Sequence, residues 1–326
     1  MDIYQSTVDY ISKLPLLQSW PDLQVILASA ASTKSKQWEL PVIACLAVGG
    51  SVRQAVPAVA ALACAQISII LIDDMLDDDP RGEYHRIGAG RAANFASTLQ
   101  AASLDAFALS DIPPAVKLAA QQSINRMILT TTYGQDLDIR NPPDEAAYWH
   151  IVENKSAPFF GAALHIGALL GNASDEAAAG LEKLGRLYGE MIQIHDDLND
   201  TMATPANPDW VQGRSPLPIL FAQLVDHPEQ ARFLELCRNI STPEALSDAQ
   251  DILVRSGAVS YCVDQLLHRY QAAREMLDAI PLVERDLLDA LLLEVIAPVQ
   301  QLFQEMGQTL PAFDCAGTSN GVMIPN

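Results

Sequence analysis

Positive charge is scarce in this chain. Of 326 residues only 20 are Lys or Arg, against 40 Asp or Glu, a formal net charge of −20. Such a balance repels phosphate backbones and anionic lipid, so no nucleic-acid partner and no stable membrane insertion are expected. Alternating Val/Ile/Thr runs closed by hairpin dipeptides are nearly absent, which argues against a β-sheet protein. The five cysteines, Cys45, Cys64, Cys237, Cys262 and Cys315, form no C-x-x-C pair and are odd in number. They read as reduced thiols of a cytoplasmic protein. Met1 to Tyr10 carries Asp2 and Asp9 but no basic region or long apolar run, so neither a signal nor a transit peptide is expected. No phosphate-cradling G-x-x-x-x-G-K-[ST] loop and no serine nucleophile elbow occurs, and Gly88-Ala89-Gly90 lacks the rest of a dinucleotide fingerprint. NTPase, hydrolase and dehydrogenase chemistries are thereby set aside.

What the chain has in quantity is apolar residues, 49% of the total, recurring at helical spacing. Leu181, Leu184, Leu187, Tyr188, Met191 and Ile192 are one example. The pattern predicts an all-α protein, one domain over 1–306, followed by a Gly, Ser, Thr, Asn and Pro-containing tail over 307–326. Gly and Pro punctuation at Ser32 to Pro41, Gly49-Gly50, Pro80 to Gly82, Pro113-Pro114, Asn141 to Pro143 and Gly171 to Ser174 separates about a dozen helices. The stretch Gln54 to Ile72 is uncharged, but it holds Pro57, Gln66 and Ser68 and runs directly into Asp73 and Asp74. It reads as a buried core helix rather than a membrane span. Thr201 to Arg214 shows no periodicity and reads as a loop of functional length.

Two acidic clusters stand out. Asp73, Asp74 and Asp77 end the first very apolar helix, and Asp196, Asp197 and Asp200 repeat the spacing on another. The i, i+4 pair puts Asp73 and Asp77 on one helical face. Taken singly, three acids at a helix end can be a solvated terminus. Carboxylates there oppose the helix dipole and repel each other, so a repeated cluster calls for a compensating cation. Mg²⁺ suits hard oxygen ligands and shares its coordination with substrate phosphates. His195, just before the second cluster, has no second His or Cys at ligand spacing and reads as a packing residue.

The two D-D-x-x-D clusters resemble those of the trans-isoprenyl diphosphate synthase family, and further landmarks follow in order. They are Leu40-Pro41, Gly49-Gly50, Arg81-Gly82, Gly134-Gln135 with Asp138, Lys155-Ser156, Gln193 through Asp200, and Gly213-Arg214 through Pro218. The likeness spans roughly Leu40 to Leu220. It implies an isoprenoid synthase helical bundle around a central apolar cavity, a homodimer, and a Mg²⁺-dependent prenyltransferase with three ions bound alongside substrate. In that family an allylic diphosphate ionises and the carbocation is attacked by isopentenyl diphosphate. Carried over by position, Asp73, Asp77 and Asp196 would ligate metal, supported by Asp74, Asp197 and Asp200. Lys155, Arg81 and Arg214 would neutralise the leaving diphosphate, with Gln135 and Gln193 beside the reacting groups. Ile69 and Ser68, four and five residues before the first aspartate, would floor the pocket for the growing tail. Neither is aromatic, and the small Ser68 favours a product of about C20 or longer.

The second-substrate landmarks are weaker. Family members carry G-K-x-x-R-P where this chain reads Ser35-Lys36-Gln37-Trp38-Glu39-Leu40-Pro41. The arginine position is Leu40, Glu39 adds negative charge, and only one arginine, Arg81, follows the first cluster closely, with Arg86 as the nearby substitute. Gln66 does match the family's Gln or His position. Lys36, Arg81 and Arg86 together could still hold isopentenyl diphosphate. Otherwise the ionising site would serve a terpene cyclase or a prenyl transfer to another acceptor. An inactive regulatory subunit is disfavoured by the intact aspartates. Thr130, Thr131 and Thr132 could face the cavity or bond back to their own helix, the latter being the expectation.

Overall fold

A computed structural model describes residues 1–305; the proposed tail and Cys315 lie outside the described residues. Among those residues the chain forms α-helices and two 3₁₀ turns, with no strand. In chain order the helices are α1 (Ile3–Ile11), α2 (Pro21–Ser32), α3 (Leu40–Ala47), α4 (Val52–Leu76), α5 (Tyr84–Ile87), α6 (Ala89–Asp105), α7 (Pro114–Asp138) and α8 (Glu145–Lys155). They continue as α9 (Ala157–Leu170), α10 (Asp175–Met202), α11 (Pro208–Val211), α12 (Leu217–Leu224), α13 (Gln230–Cys237), α14 (Pro243–Arg255), α15 (Ala258–Ala279) and α16 (Asp286–Glu305). The all-α expectation holds, and the segments outnumber the expected dozen partly because α5 and α11 are single turns.

Helix starts follow local chemistry. The Ser51, Asp144, Ser174 and Thr242 side chains accept backbone N–H groups that open α4, α8, α10 and α14. Pro208 at the first position and the Asn207 cap, which accepts from the Asp209 N–H at 2.9 Å, nucleate α11 inside the segment expected to be a loop. That expectation is corrected in part: α10 runs to Met202 and α11 interrupts the remainder.

Helix α4 is the axis of the core. Its length and composition would suffice to cross a membrane, but 78% of its most apolar window is buried within the bundle, and Ala58 to Ala65 are all fully buried. Helix α9 packs against α3, α7 and α10, while α4 packs on α6 and α10 on α15. Small residues permit these close crossings. A Cβ at Gly167 would strike the Pro41 carbonyl, and one at Gly185 the Phe160 carbonyl. A contiguous set of buried side chains runs from Ile11 to Val299. A smaller cluster, including Trp210, Phe221, Phe233, Leu246 and Ile252, joins α11 to α14 beside it. This second cluster braces the segment leading into Arg214 and α12.

Candidate active site

Helix α4 delivers the first aspartate cluster. The helix closes at Leu76 with Asp77 as its cap, whose N–H donates to the Asp73 carbonyl at 2.9 Å. Acidic side chains at this negative end of the dipole need counter-charge or hydrogen-bond donors, and α7, α8 and the segment before α12 supply them. Gln135 of α7 donates through Nε2 to Asp73 Oδ1 at 3.0 Å. Lys155, closing α8, places Nζ 2.6 Å from Asp138 Oδ2 and 3.3 Å from Asp73 Oδ1. Arg214 donates to Asp77 and lies 3.4 Å from Asp138 Oδ2. Gln212 adds a hydrogen bond to the Asp77 carbonyl at 3.0 Å.

The close packing of α7 on α8 makes this arrangement possible. A Cβ on Gly134 would run into the backbone of Asn154 and Lys155, so glycine at this point lets Gln135 and Lys155 converge on Asp73. Lys155 is held charged, its pKa raised by Asp138 and Asp73 against the opposing cost of burial. Asp77 moves upward, driven first by burial and then by Asp73, with Lys155 and Arg214 pulling the other way. Asp74 is raised by burial and by Asp79 and Asp73.

The second cluster lies within α10, and its three members differ. Asp196 and Asp200 keep solvent-accessible side chains within the walls of the central cavity, which they line. Enclosure by the cavity walls and repulsion from Asp197 and Asp200 push Asp196 up to about 6. Asp197 points elsewhere. It is 6% exposed, its Oδ2 accepts from the Tyr148 hydroxyl and the Leu217 N–H, both at 2.7 Å, and its Oδ1 accepts from Gln193 Nε2 at 2.8 Å. Burial still outweighs those donors and holds it at about 6. Asp197, expected to support metal directly or through water, thus ties α10 to α8 and to the start of α12. Gln193, which also accepts from Ser156, belongs to the same tie and keeps one face on the cavity.

Between the clusters a cavity of about 650 Å³ opens, lined by Ile69, Ile70, Phe159, Phe160 and Ile192 below and by Asp73, Gln135, Lys155, Asp196 and Asp200 at its mouth. Ile69 stands where expected. Ser68 does not: it is fully buried and absent from the cavity lining, because the neighbouring position on α4 turns into the helix packing. The threonine run divides. Thr130 and Thr132 donate to the Arg126 and Ile128 carbonyls at 2.8 Å each, whereas Thr131 lines the cavity with its hydroxyl unpartnered. His195 is a packing residue, its Nε2 set against the Val295 carbonyl of α16.

On the second-substrate side, Gln66 is fixed by its neighbours. It accepts from Trp38 Nε1 at 2.7 Å and donates to Gln37. Leu40 is 2% exposed and packs in the core. The three cations expected to compensate are all engaged and exposed: Lys36 with Glu294, Arg81 with Asp79 at 2.7 Å, and Arg86 with Glu83. Arg81 nevertheless feels the field of Asp200 and Asp74 across the mouth. Sequence reasoning gave no site role to Asp138, Tyr148 or Gln37. Asp138 was visible as the last residue of G-Q-x-x-D, but its ion pairs with Lys155 and Arg214 depend on helix packing that spacing does not encode.

The donor set fits a hard divalent cation in one particular way. Oxygen ligands are plentiful, yet among the described residues no three carboxylate, His or Cys groups converge tightly enough to hold an ion by themselves. An ion here would complete its shell with water and with a substrate's phosphate oxygens, which is the habit of Mg²⁺.

Residues 26–254 match the polyprenyl synthetase family. The chain is 27% identical over 250 residues to the geranylgeranyl diphosphate synthase of Methanosarcina mazei, covering 73% of this chain and 77% of that one. Its fold is similar to that of a geranylgeranyl pyrophosphate synthetase from Pyrococcus horikoshii, with a TM-score of 0.76 and 21% identity over 90% of this chain and 94% of that one. It is also similar to a polyprenyl synthase from Caulobacter crescentus solved with calcium and isoprenyl diphosphate, with a TM-score of 0.76 and 20% identity over 90% and 93% of the two chains. Matched along most of its length and built as the same all-α bundle, the chain belongs to the polyprenyl synthetase family, that of the trans-isoprenyl diphosphate synthases.

Proposed function

We propose that this chain is a Mg²⁺-dependent prenyltransferase that ionises an allylic diphosphate at the mouth of the central cavity and transfers the resulting prenyl cation to a second substrate. The observation that carries this reading is the convergence of Asp73, Asp196, Asp200 and Lys155 on one cavity whose floor is apolar. Bound Mg²⁺ would neutralise the diphosphate and make it a better leaving group. Asp73, Asp74, Asp77, Asp196 and Asp200 are the residues placed to hold it. Lys155 and Arg214 then face an anion that gains charge as the allylic C–O bond breaks, and fixed cations placed there stabilise the transition state. Gln135 orients Asp73, and Asp197 with Gln193 holds α10 in register. The walls of Phe159, Phe160, Ile69 and Ile192 keep water from the cation.

The names of the relatives, geranylgeranyl and other isoprenyl diphosphate synthases, support prenyl chain elongation to about C20, and isopentenyl diphosphate is the acceptor this reading takes. A second reading, transfer to another acceptor or closure of the chain on itself, is favoured by the buried Leu40 and the paired Lys36, Arg81 and Arg86. Purified protein with Mg²⁺ and C10, C15 or C20 allylic diphosphates, each with and without isopentenyl diphosphate, tests the common core of both. Diphosphate release should require Mg²⁺ and disappear in Asp73→Asn and Asp196→Asn. Release that survives both substitutions would sink the mechanism.

A further inference from the structure

We infer that Phe160, and not the α4 residues just before the first aspartates, sets how long a prenyl tail this chain accepts; this rests on the ionising reading above and names the specificity of that same site. The four long helices around the cavity stop lining it within two turns or so of its mouth. Helix α4 supplies nothing before Gln66, α7 nothing before Thr131, α9 nothing after Phe160 and α10 nothing before Gly189. Gly189 lies seven residues before Asp196 on α10, about 10 Å along the helix. An isoprene unit lengthens an extended chain by four carbon–carbon bonds, roughly 5 Å. Two units therefore fill the space between the mouth and this level, a third meets the floor, and a fourth has no room.

The floor is aromatic and held in place from behind. The Phe160 ring meets Phe159 edge-to-face at 5.4 Å and Tyr188 at 5.5 Å. Beneath it α9 and α10 touch backbone to backbone, since a Cβ on Gly185 would strike the Phe160 carbonyl, and no tail passes between them. A Cβ on Gly189 would lie 2.7 Å from Phe160 Cδ2, so glycine at this position leaves the ring its seat. The α4 side is different. Ser68 is fully buried and does not line the cavity; Ile69 lines it, but the helix below is closed by the fully buried Ala61 to Ala65.

Behind Phe160 there is space. Its ring is shared with a groove of about 360 Å³ between the Ser35 to Leu40 segment, α10 and α16, whose apolar wall is formed by Ile43, Tyr188, Leu291, Val295 and Pro298. Ile192 is also shared, but it stands one turn nearer the mouth, beside the first units of a tail rather than beneath them. Removing the Phe160 ring joins two spaces, whereas trimming Ile69 adds only its own volume. A further unit of tail then buries apolar surface against α16, and binding strengthens with the area buried.

The test is calorimetry on full-length protein with Mg²⁺ and allylic S-thiolodiphosphates of C10, C15 and C20, which report binding apart from turnover. Phe160→Leu and Phe160→Ala, each checked for fold by circular dichroism, should raise the affinity for C20 relative to C10 at least about tenfold over the native ratio. Gly189→Ala, which drives the ring into the cavity, should lower that ratio at least about threefold, and Ile69→Ala and Ser68→Ala should keep it within about twofold. Should Phe160→Ala not fold, Phe160→Leu decides. A native ratio in a folded Phe160 variant that still binds C10 overturns the inference, and so does an Ile69→Ala shift as large as that of Phe160→Ala. Failure of the native protein to bind any of the three analogues brings down the ionising reading, and the inference with it.

Discussion

At the end of α4 the carboxylates of Asp73 and Asp77 meet Gln135, Lys155 and Arg214, whereas on α10 Asp196 and Asp200 have no cation within ion-pair distance among the described residues. The same D-D-x-x-D spacing is thus stabilised in two ways. The first cluster carries protein counter-ions, Lys155 and Arg214. The second is left electrostatically unbalanced, and its middle aspartate has turned inward to hold the scaffold. The difference teaches that repeated spacing need not mean a repeated environment: one cluster is neutralised by its neighbours, and the other is not.

Removing the shared counter-ion attacks the first cluster. Lys155→Met should lower turnover about 10²- to 10³-fold, the effect typical of deleting one fixed transition-state donor. Metal affinity measured without substrate should change far less, or increase, because Asp73 and Asp138 lose a competitor. Turnover within tenfold of the native enzyme would show that Arg214 alone carries the leaving group.

The contrast within the second cluster is one of stability. Asp197→Ala leaves the Leu217 N–H, the Gln193 amide and the Tyr148 hydroxyl without their acceptor, and should cost about 3 kcal/mol or more in denaturant melts. Asp200→Ala, at an exposed position, should stay within about 0.5 kcal/mol while reducing Mg²⁺-dependent activity. Equal stability of the two variants would dissolve the division of labour drawn here.

Much of this was legible in the sequence because it rests on local chemistry. Helical periodicity, the Gly and Pro punctuation at Gly49-Gly50 and Gly171 to Ser174, and the burial of the Gln54 to Ile72 stretch need no tertiary information, nor does the order of the site landmarks. The failures share one physical origin: spacing fixes which face of its own helix a residue occupies but not what that face meets. Ser68 packs away from the cavity although Ile69 lines it, and Asp197 faces Tyr148 and Leu217 although its neighbour Asp196 faces the cavity. Thr130 and Thr132 follow the local rule of bonding back to their helix, while Thr131 between them faces the cavity with its hydroxyl unpartnered. Asp138 becomes a hub only because Gly134 lets α8 close on α7.

The smallest expected effect concerns protons in the second cluster. Asp196 and Asp197 stand at about 6 against an ordinary 3.8. The folded chain therefore keeps these protons to higher pH than the unfolded chain does. Stability rises with pH only where the unfolded state binds more protons; here the folded state binds more, so these two groups subtract stability as pH climbs from about 4 to about 6, and the loss is complete above 6. Metal-free protein should accordingly show a falling Tm between about pH 4 and about 6, by a few degrees. Repulsion within a chain of net charge −20 slopes the same way, so the informative quantity is the difference between variants. Asp196→Asn removes one of the two groups and should flatten the slope. Mg²⁺ with inorganic diphosphate should also flatten it, binding more tightly as pH rises through 6 and releasing protons measurable in buffers of different ionisation enthalpy. If Asp196→Asn leaves the slope as steep as in the native chain, burial and its acidic neighbours do not hold this carboxyl above its ordinary range, and the electrostatic imbalance of the second cluster fails.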